Sequence, residues 1–592
     1  MSDDVKHECA VAMVVLRKAT VAAGDRGGTK LSLLMEKQHN RGQDGAGAAI
    51  LSADPEPGEK PYWIAKSASS TPLADVLRAI ARRRNSFSHK EHIEHKEPCE
   101  LCDLCGKNHE RIFLGHLRYA TFGKNDVAFC HPFVHESSEL AHTVLLAGNF
   151  NLTNARVLFD DYRRHGSFPT SKSDGYLVTS LIAKELEHSS VADAISAALA
   201  HADGAWTLCG MTGDGWAFAT RDPHGIRPGW YYSDDEVVVV ASERAAIQAA
   251  FDVSPETVKE LPPGEALVVS PDGEVEFFGS TTTQPVPRPC SFERIYFSRA
   301  NDADIHRERK ALGAALLPQI LAAADAPMED IFFSYIPNSA RIAFHGLREE
   351  LFANVFSHKE HKVHKDGEKD LCGLCDLCGK NLPRFGEVAV KDAKFRTFIA
   401  DAAARREFYK HVYDVTYGLV KKDDTLVVLD DSIVRGNTMK NAILPMLDRL
   451  GPKRIVIASS APPIRYPDCY GIDMSTLSEL VAFRALVNLV GGESAFAKAM
   501  ADSRGMENPL AALYGRFTEA EHCAEIARLL TPPGMKAKVV VVYQTVENLR
   551  RCLGGEKIGD WYFTGDYPTP GGYRVLKKAI SNYLEKSSDR SY

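Results

Sequence analysis

Two parts of this chain bring together side chains that could do chemistry. In residues 425–440, TLVVLDDSIVRGNTMK, an apolar run at 426–429 ends in two adjacent carboxylates, Asp430 and Asp431. The loop Ser432, Ile433, Val434, Arg435, Gly436 follows, and Asn437 and Thr438 open a helix expected over 439–450. A buried strand leading into a turn at a helix N-terminus makes an anion cradle, because the backbone N–H groups of the turn point at the bound phosphate. Carboxylates at the strand tip can hold sugar hydroxyls or a hydrated Mg²⁺. The combination describes a site for a ribose that carries a 5′-phosphate. The second part centres on Cys9, directly before an apolar strand at 9–16. A cysteine there is most often a small core residue. If residues 1–8 are removed, however, Cys9 gains an α-amine of ordinary pKa about 7.7–8, suited to act as base for its own thiol. Residues 115–121, GHLRYAT, offer the Arg118 fork to a carboxylate. Gly148-Asn149-Phe150-Asn151 can give an amide and a backbone N–H to an oxyanion. Asp174 begins a helix, where a plain capping role is the default.

The elements that must hold these groups read as two regions. The first is β-rich, with strands at 9–16 and 144–147 and a helix at 174–187 carrying Tyr176, Leu177, Leu181 and Ile182 at helical spacing. Hairpins are expected at 207–220, across Gly213-Asp214-Gly215, and at 265–278, across Asp272-Gly273. A strand at 237–241 leads into a helix at 243–250. Residues 285–289 read as a linker. Beyond them strands at 331–336, 425–429, 454–459 and 539–543 alternate with helices, the pattern of a parallel sheet.

Bulk properties narrow the class. A chain of 592 residues should hold at least two domains. The net charge of −7 gives no drive toward nucleic acid or an anionic membrane. No apolar run approaches the ~18 residues of a membrane span. The N-terminus, MSDDVKHECAVAMVVL, is acidic and lacks the parts of a signal peptide, so the expected compartment is the cytoplasm. There, thirteen cysteines do not read as a disulfide framework.

Six of those cysteines fall in a duplicated motif. His89, His92 and His95 precede Cys99, Cys102 and Cys105; later His358, His361 and His364 precede Cys372, Cys375 and Cys378. One copy lies in each half, in inserts at about 85–110 and about 355–385, so this is a repeated insert and not a solenoid period. On a helix the i, i+3, i+6 spacing covers one broad face. Cys-x2-Cys knuckles with added histidines suit tetrahedral zinc, whereas Cys-x2-Cys-x2-Cys is also compatible with a 4Fe–4S cluster completed by a remote thiolate. Structural zinc is favoured on the histidine content. The alternative is a pair of solvated loops with unliganded thiols.

The motifs together resemble those of the amidophosphoribosyltransferases. The matching segments are ECAVAMVVL, LLMEKQHNRGQDGAG, GHLRYATFG, LAGNFNLTN, KSDGYLVTSLI, RDPHGIRPGW and VASERAAI. In the second half they are CSFERIYFSRAND, FRTFIADAAARR, VVLDDSIVRGNT, APPIRYPDCYGIDM and FTGDYPT. The resemblance implies an N-terminal-nucleophile αββα sandwich followed by a phosphoribosyltransferase α/β domain with a parallel sheet. The division would be a propeptide at 1–8, a class II glutamine amidotransferase at 9–285 and a phosphoribosyltransferase at 286–592. It implies that Cys9 attacks the glutamine amide, Arg118 holds the α-carboxylate, Asp174 receives the α-ammonium, and Asn149 with the Phe150 N–H faces the oxyanion. The family usually has glycine where this chain has Phe150. It implies further that Asp430 and Asp431 bind ribose and Mg²⁺, that residues 432–438 wrap the 5′-phosphate, and that Ser339 contributes to the metal site, with Asn338 where the family has aspartate. Arg396 and Arg406 match a basic segment that closes over the substrate. Some relatives hold an iron–sulfur cluster using cysteines just before the FTG segment; here 556–562 has none, Cys290 matches one cluster position, and Cys469 is one residue off another. The implied reaction turns glutamine and phosphoribosyl pyrophosphate into phosphoribosylamine, with purine nucleotides as feedback inhibitors and a homodimer or homotetramer as the assembly. The alternatives are a non-catalytic regulator that binds phosphoribosyl pyrophosphate, or another class II amidotransferase.

Overall fold

The apolar run after Cys9 forms the strand Ala10–Leu16, buried at every position. Ala10, Ala12, Val14 and Leu16 join one core, and Val11, Met13 and Val15 another, so the strand is covered on both faces. In this computed structural model the described residues are 9–17, 21–52, 58–94, 110–119, 126–279, 285–363, 383–391, 413–503 and 505–587.

Ala10–Leu16 is the middle strand of a seven-stranded antiparallel sheet. The spatial order is Lys259–Glu260, Trp230–Ser233, Val237–Ala241, Ala10–Leu16, Glu110–Arg118, Gly45–Ser52, Tyr62–Ser67. A six-stranded antiparallel sheet faces it across the second core, in the order Val275–Gly279, Glu265–Val269, Ala217–Arg221, Gly204–Thr212, Val144–Leu152, Phe133–His135. Helices Val21–Lys37, Pro72–Glu94 and Arg244–Phe251 cover the outside of the first sheet, and Ala155–Arg164, Asp174–Glu185 and Val191–Leu199 the outside of the second. The result is the αββα sandwich that the sequence led us to expect. Both hairpins form, through the pairings of Gly204–Thr212 with Ala217–Arg221 and of Glu265–Val269 with Val275–Gly279. The strand expected at 144–147 runs on to Leu152, because residues 148–151 pair with 205–208 and have their backbone groups satisfied there. Gly45–Ser52, GAGAAILS, has no strand-like composition, yet all eight residues are buried between neighbours.

The second half carries a five-stranded parallel sheet, ordered Arg384–Phe385, Ile331–Tyr335, Thr425–Asp430, Arg454–Ser459, Lys538–Tyr543. Apolar clusters cover both of its faces, which explains why its strands read as continuous apolar runs. Tyr335 lies opposite Leu429, and the Ile336 N–H donates to the Leu429 carbonyl at 2.8 Å. Residues 336–339 therefore leave the sheet beside the Asp430 tip. The helix expected at 439–450 opens as π-helical turns at Met439–Ile443 and becomes α-helical at Leu444–Asp448. Pro445 has no N–H to give the preceding turn, which favours the wider winding before it.

Polar contacts weld the halves. The fully buried Arg41 guanidinium donates to both Glu293 oxygens, at 2.9 and 2.7 Å, and to Glu243 at 2.7 Å. Leaving one such buried charge unpaired costs about 3–5 kcal/mol, so this pairing fixes where the segment around Glu293 sits. Asp203 accepts from Thr569, the Gly571 N–H and Arg574 at 2.7, 2.8 and 3.0 Å. Asn151 donates its amide to the Cys469 carbonyl at 2.7 Å.

Candidate active sites

A cavity of about 980 Å³ opens at the end of the sandwich. Cys9, Arg118, His131, Gly148, Phe150 and Asp174 all line it. Three of them are brought there by separate elements: Cys9 precedes the central strand, Arg118 ends the adjacent one, and Asp174 is the first residue of the helix capped by Ser173. The Cys9 sulfur accepts from the Tyr119 N–H at 3.4 Å. Burial pushes its thiol up to about 11, with the carboxylates of Asp174 and Asp44 adding to that and the Tyr119 bond and Arg118 opposing it. A thiol in that state needs a base to become a nucleophile at neutral pH. The Arg118 guanidinium stands 5.9 Å from the centre of the Phe129 ring. Asp174 Oδ1 accepts from the Gly175 N–H at 2.9 Å.

Asn149 is buried on Val144–Leu152, on the face that Leu145 and Ala147 turn toward the first sheet, the sheet that begins after Cys9. Phe150 takes the opposite face and presents its ring to the cavity. His131 and His116 meet at this strand. The sequence reading assigned neither, although a histidine inside the apolar strand Glu110–Arg118 was a signal that could have been used.

The second site forms at the C-terminal end of the parallel sheet, the edge where ligands of such sheets bind. Asp430 ends the strand half-buried, and Asp431 is buried behind it. Burial pushes the Asp431 carboxyl up, while hydrogen bonds from Ser339 and Ser432 and the charge of Arg309 pull it down. Ser339 thus reaches the acidic tip. Ser432 Oγ donates to Asp431 Oδ1 at 3.0 Å. Arg309, itself buried and lowered to about 10 by that burial, is a further residue the sequence reading missed. The Arg435 guanidinium turns away from the loop, donating to Glu479 at 2.9 Å and to the Asp473 carbonyl at 3.1 Å, so the loop keeps its backbone but not that cation. Gly436 has φ +77°, and a Cβ there would lie 2.3 Å from Leu530 Cδ2, so the turn admits only glycine without rearrangement.

Residues 1–8, His95, Cys99, Cys102, Cys105, His364, Cys372, Cys375, Cys378, Arg396 and Arg406 lie outside the described residues. His89 and His92 fall on the backbone of helix Pro72–Glu94, and His358 and His361 on that of Arg341–Val363; their side chains also lie outside the description. Among the described residues no group of three or more His, Cys, Asp or Glu side chains could hold a metal ion. Cys290 and Cys469 are both buried, and the Cys290 sulfur stands 3.2 Å from the Tyr562 hydroxyl.

An antiparallel sandwich with a cysteine at its mouth, joined to a parallel sheet with an acidic tip and a glycine turn, defines a class II glutamine amidotransferase fused to a phosphoribosyltransferase fold. The glutamine amidotransferase domain family matches residues 131–249. The amidophosphoribosyltransferase of Pasteurella multocida is 30% identical over 389 residues, which span 62% of this chain and 69% of that protein. The Bacillus subtilis amidophosphoribosyltransferase is 30% identical over 375 residues, with the same two shares of 62% and 69%. Among solved structures, glutamine phosphoribosylpyrophosphate amidotransferase from B. subtilis, complexed with ADP and GMP, superposes with a TM-score of 0.63 at 24% identity, covering 95% of this chain and 97% of that one. The chain belongs to the amidophosphoribosyltransferase family.

Proposed function

We propose that this chain converts glutamine and phosphoribosyl pyrophosphate into 5-phosphoribosylamine, glutamate and pyrophosphate, the first committed step of purine biosynthesis. The observation that carries the reading is the presence of both half-sites in one welded chain: Cys9, Arg118 and Asp174 around one cavity, and Asp430, Asp431, Ser339 and the Gly436 turn at the other sheet. In the first half-reaction the Cys9 sulfur forms a bond to the amide carbon of glutamine, the C–N bond breaks, and ammonia leaves with a proton. Water then cleaves the thioester to glutamate. Arg118 holds the substrate carboxylate, Asp174 its ammonium, and Asn149 with the Phe150 N–H meets the oxyanion. Removal of residues 1–8 supplies the α-amine as base for a thiol that is otherwise held protonated.

In the second half-reaction ammonia bonds to the ribose C1 as the C1–O bond to pyrophosphate breaks. This step asks the protein mainly to position the sugar and stabilise the leaving group. Residues 432–438 hold the 5′-phosphate through backbone N–H groups, and Arg396 and Arg406 close on the pyrophosphate. The carboxylates of Asp430 and Asp431 and the hydroxyl of Ser339 are hard oxygen donors that fit Mg²⁺, which when bound neutralises pyrophosphate charge. Asn151, on the strand that carries Asn149, touches the second half directly at Cys469, which supports internal transfer of ammonia. The domains divide at about residue 285. Purine nucleotides serve as feedback inhibitors, the assembly is a homodimer or homotetramer, and the compartment is the cytoplasm; no helix among the described residues is long and apolar enough to cross a membrane.

The direct test is pyrophosphate release from phosphoribosyl pyrophosphate with glutamine, and separately with ammonia, as amino donor. Both donors are expected to support it; a chain that binds the sugar phosphate but releases pyrophosphate with neither is a regulator. The two His/Cys inserts hold structural zinc in preference to a 4Fe–4S cluster, supported by the duplicated motif and by the helical backbone at His89, His92, His358 and His361. Elemental analysis and the visible spectrum of anaerobically purified protein check this. Zinc without a visible chromophore is the expected result, and protein free of both zinc and iron removes the idea.

A further inference from the structure

The strand Val144–Leu152 loses its outer neighbour partway along. Phe133–His135 pairs with it only as far as Leu146, which lies opposite Phe133. Continued in that register, Gly148 would face residue 131. The backbone does not continue the ladder there. Residue 131 is drawn against the first sheet, so close to Gly47 that a Cβ on that glycine would stand 1.9 Å from the His131 carbonyl oxygen.

Two side chains take over the missing bonds. The Gly148 N–H donates to His131 Nδ1 at 3.2 Å. The Gly148 carbonyl accepts from His116 Nε2 at 3.1 Å. A backbone N–H can only donate and a carbonyl only accept, so His131 Nδ1 carries no proton and His116 Nε2 carries one. The rings stack on each other, with centroids 4.0 Å apart and planes 8° from parallel. His116 comes from the first sheet and Gly148 from the second, so the pair also pins the two sheets at this point.

What the clamp holds is next to the oxyanion donors. N–H groups alternate sides along a strand. That of Thr153 points to the Gly204–Thr212 side, where it donates to Asp203. By that alternation Gly148 and Phe150 direct theirs to the open edge, and His131 occupies the first of these. We propose that His116 and His131 are positioning residues for glutamine hydrolysis, holding Gly148 in place of a strand neighbour and so fixing where the Phe150 N–H and the Asn149 amide stand. This rests on the glutaminase reading above.

The environment keeps the clamp in one protonation state. Burial drives His116 down to about 3, with Arg118 and Lys66 adding to the effect and the bond to Gly148 opposing it. His131 is held well below its ordinary value by burial and then by His116, Lys66 and Arg118. A proton on His131 Nδ1 would remove the acceptor for Gly148, and the cations facing the pair disfavour it.

The test compares two replacements of His131. His131→Phe keeps a ring for the stack but has no acceptor, whereas His131→Gln offers an acceptor oxygen. His131→Phe should lower glutamine-dependent kcat about 10–100-fold, because a misplaced catalytic group costs rate rather than binding. Glutamine KM should stay within about threefold, and ammonia-dependent turnover, which runs at the other site, should be unchanged. His131→Gln should recover most of the glutamine rate. His116→Leu removes the other bond and should reproduce the kcat loss, which keeps the test available if His131→Phe fails to fold. A His131→Phe or His116→Leu protein with normal ammonia turnover and a glutamine kcat within about twofold of the parent overturns the clamp. If Cys9→Ala still used glutamine, the glutaminase reading itself would fall, so the two failures are distinguishable.

Discussion

Replacing Cys9 by alanine is expected to abolish glutamine-dependent pyrophosphate release while ammonia-dependent release continues. The loss should be on the order of 10⁴-fold or more, because the substitution removes the sulfur that forms the acyl intermediate. The geometry makes the separation clean. Cys9 sits at the mouth of the antiparallel sandwich, whereas the proposed sugar-phosphate site, at Asp430 and Asp431, lies at the C-terminal end of a different sheet. Truncating a half-buried thiol to a methyl group removes one sulfur and leaves Arg118 and Asp174 in place, so glutamine should still bind. The measurement is pyrophosphate released per enzyme with each donor in turn. Retention of full glutamine use by the Cys9→Ala protein would falsify the nucleophile assignment.

The second large effect belongs to the acidic tip. Asp430→Asn combined with Asp431→Asn should depress both the glutamine- and the ammonia-dependent reactions by at least about 10³-fold, since both pass through the same ribose and pyrophosphate contacts. The two carboxylates do not contribute alike. Asp430 is half-buried at the strand end and can meet a ligand, while Asp431 is buried and already bonded to Ser339 and Ser432. Asp431→Asn also strips the charge that faces the buried Arg309, so the single variant should lower thermal stability as well as activity. Asp430→Asn should lose activity with its melting temperature little changed. Hydrolysis of glutamine to glutamate, followed separately, reports that the sandwich is still folded. Ammonia-dependent turnover within about tenfold of the parent in the double variant would place the sugar-phosphate site elsewhere.

Much of this arrangement was legible from residue order. The runs before Asp430 and after Cys9 read as strands because they are apolar at every position, and they proved to be buried on both faces. The hairpins were marked by Gly-Asp-Gly and Asp-Gly turns. Other elements gave no such signal. Gly45–Ser52 is built from small residues that carry little strand propensity, and only its neighbours make it a strand. Helix Val21–Lys37 contains three glycines, and its place is secured by packing Leu31, Leu34 and Met35 into the first sheet's outer core. Residues 148–151 lie beyond the strand expected at 144–147, but cross-strand pairing extends the strand through them.

The sequence by itself determined which groups exist for the chemistry. A cysteine next to a buried strand, an arginine ending one strand, an aspartate opening a helix, and a carboxylate pair before a glycine turn are local facts. Each is set by residue type and by spacing within a few positions. What it could not determine was how distant segments meet. That Ser339 reaches Asp431, that Arg435 spends its charge on Glu479, and that two histidines fifteen positions apart close on Gly148 all depend on strand register and on the packing of one sheet against another. Those contacts join residues tens of positions apart, and only the folded backbone brings them within hydrogen-bonding distance.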